Sequence, residues 1–158
     1  MVKQLDDMPE LLDHVGWRLW RAAAAWKVEF DQGMVALGHA WFAEARANLL
    51  AHLDRAGTPQ SLLVVRMNLS KQAVQQFVDE LVADGIVERR ANPDDGRSKI
   101  IAFTRKGRRV LDDANRVKRR IQRRYGAVLG DARFAGLMDS LEALHSAADD
   151  GALRSGQR

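Results

Sequence analysis

A mainly α-helical fold carrying one small β-hairpin is what this sequence predicts, and three observations lead to it. Apolar residues recur at spacings of three and four through most of the chain. One turn-rich run, NPDDGRSK at residues 92–99, is bracketed by two short segments rich in β-branched and apolar side chains, IVERR and SKIIAFT. The 158 residues, 46% hydrophobic and 29% charged, suffice for one ordinary core and require no second independent domain.

The first element spans residues 9–30. Pro9 suits a first helical turn, and Leu12, Val15, Leu19, Ala22, Ala23, Trp26 and Phe30 line one face of an amphipathic helix. Gly33 and Gly38 bracket a connection, and residues 39–53 form a second helical run with Trp41, Phe42, Ala45, Leu49, Leu50 and Leu53 on its apolar side. RAGTPQ then reads as a stop and restart, in which Gly57 ends one helix, Thr58 caps the next and Pro59 occupies its first turn.

A short helix over SLLVVRMN reaches a break at Asn68, Leu69 and Ser70, where Ser70 caps a helix running to about Asp84. Val74, Phe77, Val78, Leu81 and Val82 fall at i, i+3, i+4, i+7 and i+8, so one face of that helix must be buried. Its opposite face, near the start, shows Lys71, Gln72, Gln75 and Gln76. Gly85 supplies the stop, and the hairpin follows directly. Thr104 caps a long helix whose apolar positions Val110, Ala114, Val117, Ile121 and Tyr125 step close to a heptad. Gly126 and Gly130 interrupt the chain, Asp131 caps a last helix bearing Phe134, Leu137, Met138, Leu141 and Leu144, and the tail from Asp149 lacks a core pattern.

Composition narrows the function. With no cysteine, disulfides, thiolate metal sites and thiol-based sensing are excluded. His14, His39, His52 and His145 show no paired spacing such as HxxxH, and no metal or other cofactor is expected. No run approaches the roughly 18–20 apolar residues of a membrane span, and MVKQLDDMPE lacks the apolar core of a secretory signal. A cytoplasmic protein is expected. Net charge is −3 over residues 1–54, +5 over 55–109, +4 over 110–124 and −2 over 125–158. A basic centre between acidic ends suits a polyanion-facing element carried by flanking scaffold, although solvated helix faces would give the same totals.

Two short helices joined by a tight turn and followed by a hairpin are the order of a winged helix-turn-helix. There the second helix of the pair enters the DNA major groove with its N-terminal residues at base edges. Those residues are Ser70, Lys71, Gln72, Gln75 and Gln76. A glutamine amide donates and accepts together, matching the N6 and N7 edge of adenine, a pairing worth roughly 1 to 3 kcal/mol of discrimination. Lysine and serine would mainly hold phosphates. Taken alone, the same polar face is also what ordinary solvated surface looks like.

The residues NLSKQAVQQFVDELVADGIVERR and NPDDGRSKIIAFTRKG resemble the multiple antibiotic resistance regulator (MarR) family. They look like its recognition helix, glycine stop, wing with an Asp-x-Arg signature, and the Thr-x-x-Gly opening of the next helix. The resemblance is specific over about residues 58–111, and outside that span only the order of helices agrees. It implies a homodimer in which helices from 1–38 and 112–148 interlock and a winged module at 39–111 binds a pseudo-palindromic DNA operator; 149–158, lacking a core pattern, is expected to be a flexible tail. Carried over by position, Asp95 and Arg97 are the wing signature, with the arginine in the minor groove and the aspartate orienting it. A guanidinium is indeed drawn to the negative potential of a narrow A·T-rich minor groove. Lys99, Arg89 and Arg90 are weaker candidates, and the two arginines, being adjacent on a strand, cannot face DNA in the same way.

The resemblance also implies a small aromatic or anionic effector in a cleft between the terminal helices and the DNA-binding module. Trp17, Trp20 and Trp41 could line it, with His14, Arg21 or His39 supplying polarity, although aromatics at helical spacing equally make core. Three functions compete. One is a dimeric, ligand-responsive transcription repressor. A second is a winged-helix dimer serving as a protein-partner module without specific DNA binding. An enzyme is disfavoured, because no catalytic triad order, phosphate-binding glycine loop or paired carboxylates stand in a convincing context.

Overall fold

The computed structural model describes residues 12–93 and 98–155. Helices α1 (Val15–Ala36), α2 (Gln60–Met67), α3 (Lys71–Ala83), α4 (Arg105–Leu129) and α5 (Asp131–Ser155) surround strands β1 (Thr58–Pro59), β2 (Val87–Ala91) and β3 (Lys99–Phe103). The sheet is antiparallel in the order β1-β3-β2, with Thr58 opposite Ile101 and Val87 opposite Phe103.

Three expectations about the N-terminal half change. The first helix begins at Val15, where the ring nitrogen of His14 accepts from the Trp17 amide, and Pro9 lies outside the described residues. It also continues past Phe30 to Ala36 and takes in Gly33. The glycine marks a helix crossing: a Cβ there would stand 2.5 Å from Val117 Cγ1, so α1 and α4 meet backbone to side chain. Residues 39–53 form two 3-10 segments, Ala40–Ala43 and Ala45–His52, broken where Glu44 turns extended. Finally, Thr58 does not cap α2. It pairs with β3, and its buried hydroxyl accepts from the Asp54 amide, so α2 begins after Pro59 without a side-chain cap.

From Asn68 onward local chemistry decides the fold. Asn68 takes a left-handed conformation (φ 50°), a state its short polar side chain tolerates, and this tightens the turn between α2 and α3. Ser70 Oγ accepts from the Ala73 amide at 3.1 Å and caps α3. Val74, Val78 and Leu81 are fully buried, with Phe77 and Val82 packed partly against the same core. Each full burial of this kind is worth about 1.5–3 kcal/mol. Gly85 ends the helix at φ 68°.

The start of α4 is welded to that helix end. Thr104 Oγ1 accepts from the Gly107 amide at 2.9 Å and donates to the Gly85 carbonyl at 2.6 Å, while Lys106 Nζ donates to the Asp84 carbonyl at 2.7 Å. Gly107 lets α4 touch the chain at Ile86, because a Cβ would lie 2.0 Å from its carbonyl oxygen. Val110, Ala114, Val117 and Ile121 then carry the core along α4 to Phe30 and Met34 of α1. Gly126 lies within α4, which ends at Gly130 (φ 78°). Asp131 is the first residue of α5, whose helix extends to Ser155, beyond Asp149 where the apolar pattern stops.

α5 is the exception to this packing. Leu137, Met138, Leu141 and Leu144 are 38%, 50%, 40% and 54% exposed, and among its described residues none is buried. The N-terminal part of α1 is similar, with Trp17, Leu19 and Trp20 open to solvent.

Candidate nucleic-acid interface

The cap at Ser70 and the turn at Asn68 point the first two turns of α3 outward. Ser70, Lys71, Gln72, Gln75 and Gln76 are all exposed there and share one helix end. Lys71 and Gln72 make no side-chain hydrogen bond among the described residues. The other three are engaged: Ser70 as cap, Gln76 with Glu80 at 3.0 Å, and Gln75 with both Gln60 and Asp79.

Beside this face stands the hairpin. Asn92 Nδ2 donates to Ser98 Oγ at 2.7 Å and closes the base of its tip. Lys99 is exposed at the start of β3, opposite Ala91. Asp95 and Arg97, the wing signature, lie outside the described residues. The two weaker strand candidates are already paired, Arg89 with Asp79 of α3 and Arg90 with Glu88 of its own strand. The Asp79 carboxyl lies below its ordinary range, first because Arg89 donates to it and then because Gln75 does. Gln60, at the head of α2, is a participant that the sequence pattern did not single out.

The six residues expected to line one effector cleft do not meet within the chain. His14, Trp17, Trp20 and Arg21 sit at the N-terminal end of α1, where the two indoles stack at 4.9 Å. His39 and Trp41 lie beyond its other end, with about 24 Å of helix between Trp20 and Ala36. His39 Nε2 lies 2.8 Å from Asp113, tying the connection after α1 to α4. The Asp113 carboxyl is held below its usual range, by His39 first and then by Arg116. Trp41 packs on Phe42 with the Arg46 guanidinium over its ring.

A different cavity, of about 380 Å³, opens between α1, the 3-10 segments and α4. Trp26, Phe30, Phe42 and Phe103 line it, and Lys27 and Lys118 bring the nearest cations. Lys118 Nζ stands 5.9 Å from the Phe30 ring centre, and Lys27 is paired with Asp31 at 2.5 Å. Trp26 and Phe30 are read from sequence as core; only the tertiary fold shows that their outer edges face a cavity.

The model of the MarR family matches residues 44–98, which hold α2, α3 and most of the wing. An uncharacterized protein of Mycobacterium tuberculosis is 34% identical over 100 residues, covering 62% of this chain and 68% of its own length. The chain belongs to the MarR family. Among solved structures, a MarR-family transcriptional regulator from Rhodococcus sp. RHA1 is 26% identical with a TM-score of 0.67, covering 87% of this chain and 96% of that one. CouR from Rhodococcus jostii RHA1, solved bound to p-coumaroyl-CoA, is 27% identical with a TM-score of 0.64, covering 84% and 92%. As a member of the MarR family the chain is a DNA-binding transcription regulator. No described helix is long and apolar enough to cross a membrane.

Proposed function

We propose that this MarR-family chain acts as a homodimeric, ligand-responsive repressor on a pseudo-palindromic operator. The observation that carries the reading is the pairing of two surfaces in one chain. One is a rigidly capped α3 with an exposed polar end beside a wing; the other is α5 and the start of α1, whose apolar side chains the described residues leave open. Residues 1–38 and 112–148 supply the dimerisation helices and 39–111 the DNA-binding module, although the boundary at 111/112 falls inside α4, which runs unbroken from one to the other. A second copy covering α5 and the start of α1 removes those side chains from water.

In the dimer, Ser70, Lys71, Gln72, Gln75 and Gln76 face the major groove, and Asp95, Arg97 and Lys99 carry the wing to the neighbouring minor groove and backbone. Two such ends, about one DNA turn or roughly 34–36 Å apart, suit an inverted repeat. The aromatic cavity with its lysines suits a small aromatic acid or thioester, and the p-coumaroyl-CoA bound by CouR supports that ligand class. A ligand seated there presses on α1 and α4 together. Because α4 opens at the C-terminal end of α3, such pressure changes the spacing of the two α3 helices and releases DNA.

Selection of duplexes from a random pool by the purified chain tests the reading. An enriched inverted repeat is the expected result, with Arg97→Ala weakening binding to it strongly. Failure to enrich any sequence favours the partner-module function instead.

A further inference from the structure

Four side chains around α3 form one hydrogen-bonded chain. Gln60 Nε2 donates to Gln75 Oε1 at 2.6 Å. Gln75 Nε2 donates to the Asp79 carboxylate at 3.0 and 3.2 Å, and Arg89 donates to the same carboxylate from β2. Both ends are fixed to the sheet. Gln60 follows Pro59 of β1, Arg89 lies on β2, and β3 pairs with both strands.

The order of donors and acceptors along this chain is forced. An ionised carboxylate only accepts, so the end of the Gln75 amide beside Asp79 must be nitrogen, and the end beside Gln60 must be oxygen. A free glutamine carboxamide turns over readily and offers either group to a base. Here one lone pair of Oε1 and one proton of Nε2 are already used. One of each remains, which is the combination an adenine N6/N7 edge takes.

We propose that Gln60 and Asp79 are positioning residues that preset the Gln75 carboxamide in a single orientation and thereby set base preference at one position of the operator. The inference rests on the reading of Gln75 as a base-contacting residue. Arg89 holds the Asp79 carboxylate in place, and its pairing also keeps a guanidinium from gripping DNA backbone without regard to sequence. Discrimination is thus gained at some cost in general affinity.

The test is fluorescence anisotropy with the selected duplex, with its single base-pair variants, and with a scrambled duplex, for the full-length wild type and for Gln75→Ala, Gln60→Ala and Asp79→Asn. Loss of discrimination at one and the same base pair is expected in all three variants, about fivefold for Gln60→Ala, the scale of one neutral hydrogen bond. Asp79→Asn is expected to lose that discrimination while binding the scrambled duplex at least as tightly as the wild type, because Arg89 is released. A merely structural role would weaken binding to every duplex alike, which overturns the proposal. If Gln75→Ala loses discrimination while Gln60→Ala and Asp79→Asn retain it, the proposal fails and the role of Gln75 stands. If Gln75→Ala discriminates as the wild type does, the role of Gln75 fails and the proposal with it.

Discussion

The α3–β2–β3 module and the terminal helices solve the problem of burial differently. Around α3, the apolar face is covered within the chain: Val74, Val78 and Leu81 lie at zero exposure with Phe77 and Val82 partly buried beside them, the helix start is capped by Ser70, and its end is locked to Thr104 and Lys106. Along α5, Leu137, Met138, Leu141 and Leu144 repeat with the same helical logic yet remain open. A hydrophobic stripe of equal regularity is therefore core in one place and unfinished surface in the other. What differs is whether a partner element stands over the stripe among the described residues, and that suits a rigid reading head carried on an association surface.

The sharpest way to break the module is Gly107→Ala. Its Cβ would meet the Ile86 carbonyl, which is backbone and cannot rotate away, so a loss of more than about 3 kcal/mol in chemical denaturation is expected. On the other side, Leu141→Glu with Leu144→Glu should leave helix content near wild type and convert the sedimenting species from two chains to one. If the pair instead unfolds the chain, α5 belongs to the internal core and the contrast collapses. Gly33→Ala probes the seam between the regions. Arg120 can swing away there and the buried Val117 must be displaced with its helix, but no backbone atom is struck, so a smaller cost of about 1–3 kcal/mol is expected.

The smallest effect is acid sensitivity. Asp113 beside His39, and Glu29 beside Arg124, both hold their carboxyls below the ordinary value. A depressed folded-state value stabilises above the unfolded value, and that contribution disappears as pH falls through the folded one. The thermal midpoint should therefore fall progressively below about pH 4. Asp113→Asn should flatten part of that fall without altering the trend near neutrality.

Much of the module was legible in the sequence because its determinants are local. Ser70 caps residues three positions away, Gly85 and Thr104 sit where a stop and a start are needed, and Val74 to Val82 show their period without any tertiary information. The N-terminal half was harder. Gly33 reads as a breaker, yet its place is set by Val117, more than eighty positions away in sequence. Residues 39–53 have a helical pattern but are bent at Glu44. Thr58 reads as a cap because Thr before Pro often is one, and the strand pairing with Ile101 overrides it. At the interface, residue types and helix end were readable. The tie from Gln60 of α2 to Gln75 and the tie from Arg89 of β2 to Asp79 were not, since they join three elements through long side chains. The cavity beside Trp26 and Phe30 was not legible either, because spacing shows which residues share a face and not which face borders a cavity.

One titration tests the central claim most directly: the wild-type chain against the selected duplex and against a duplex holding a single half-site, followed across salt concentrations. Two chains per full-length duplex, much tighter binding than to the half-site, and affinity that falls steeply as salt rises are expected of a dimer presenting two α3 ends and two wings. Equal affinity for both duplexes, or one chain bound to each, would contradict it.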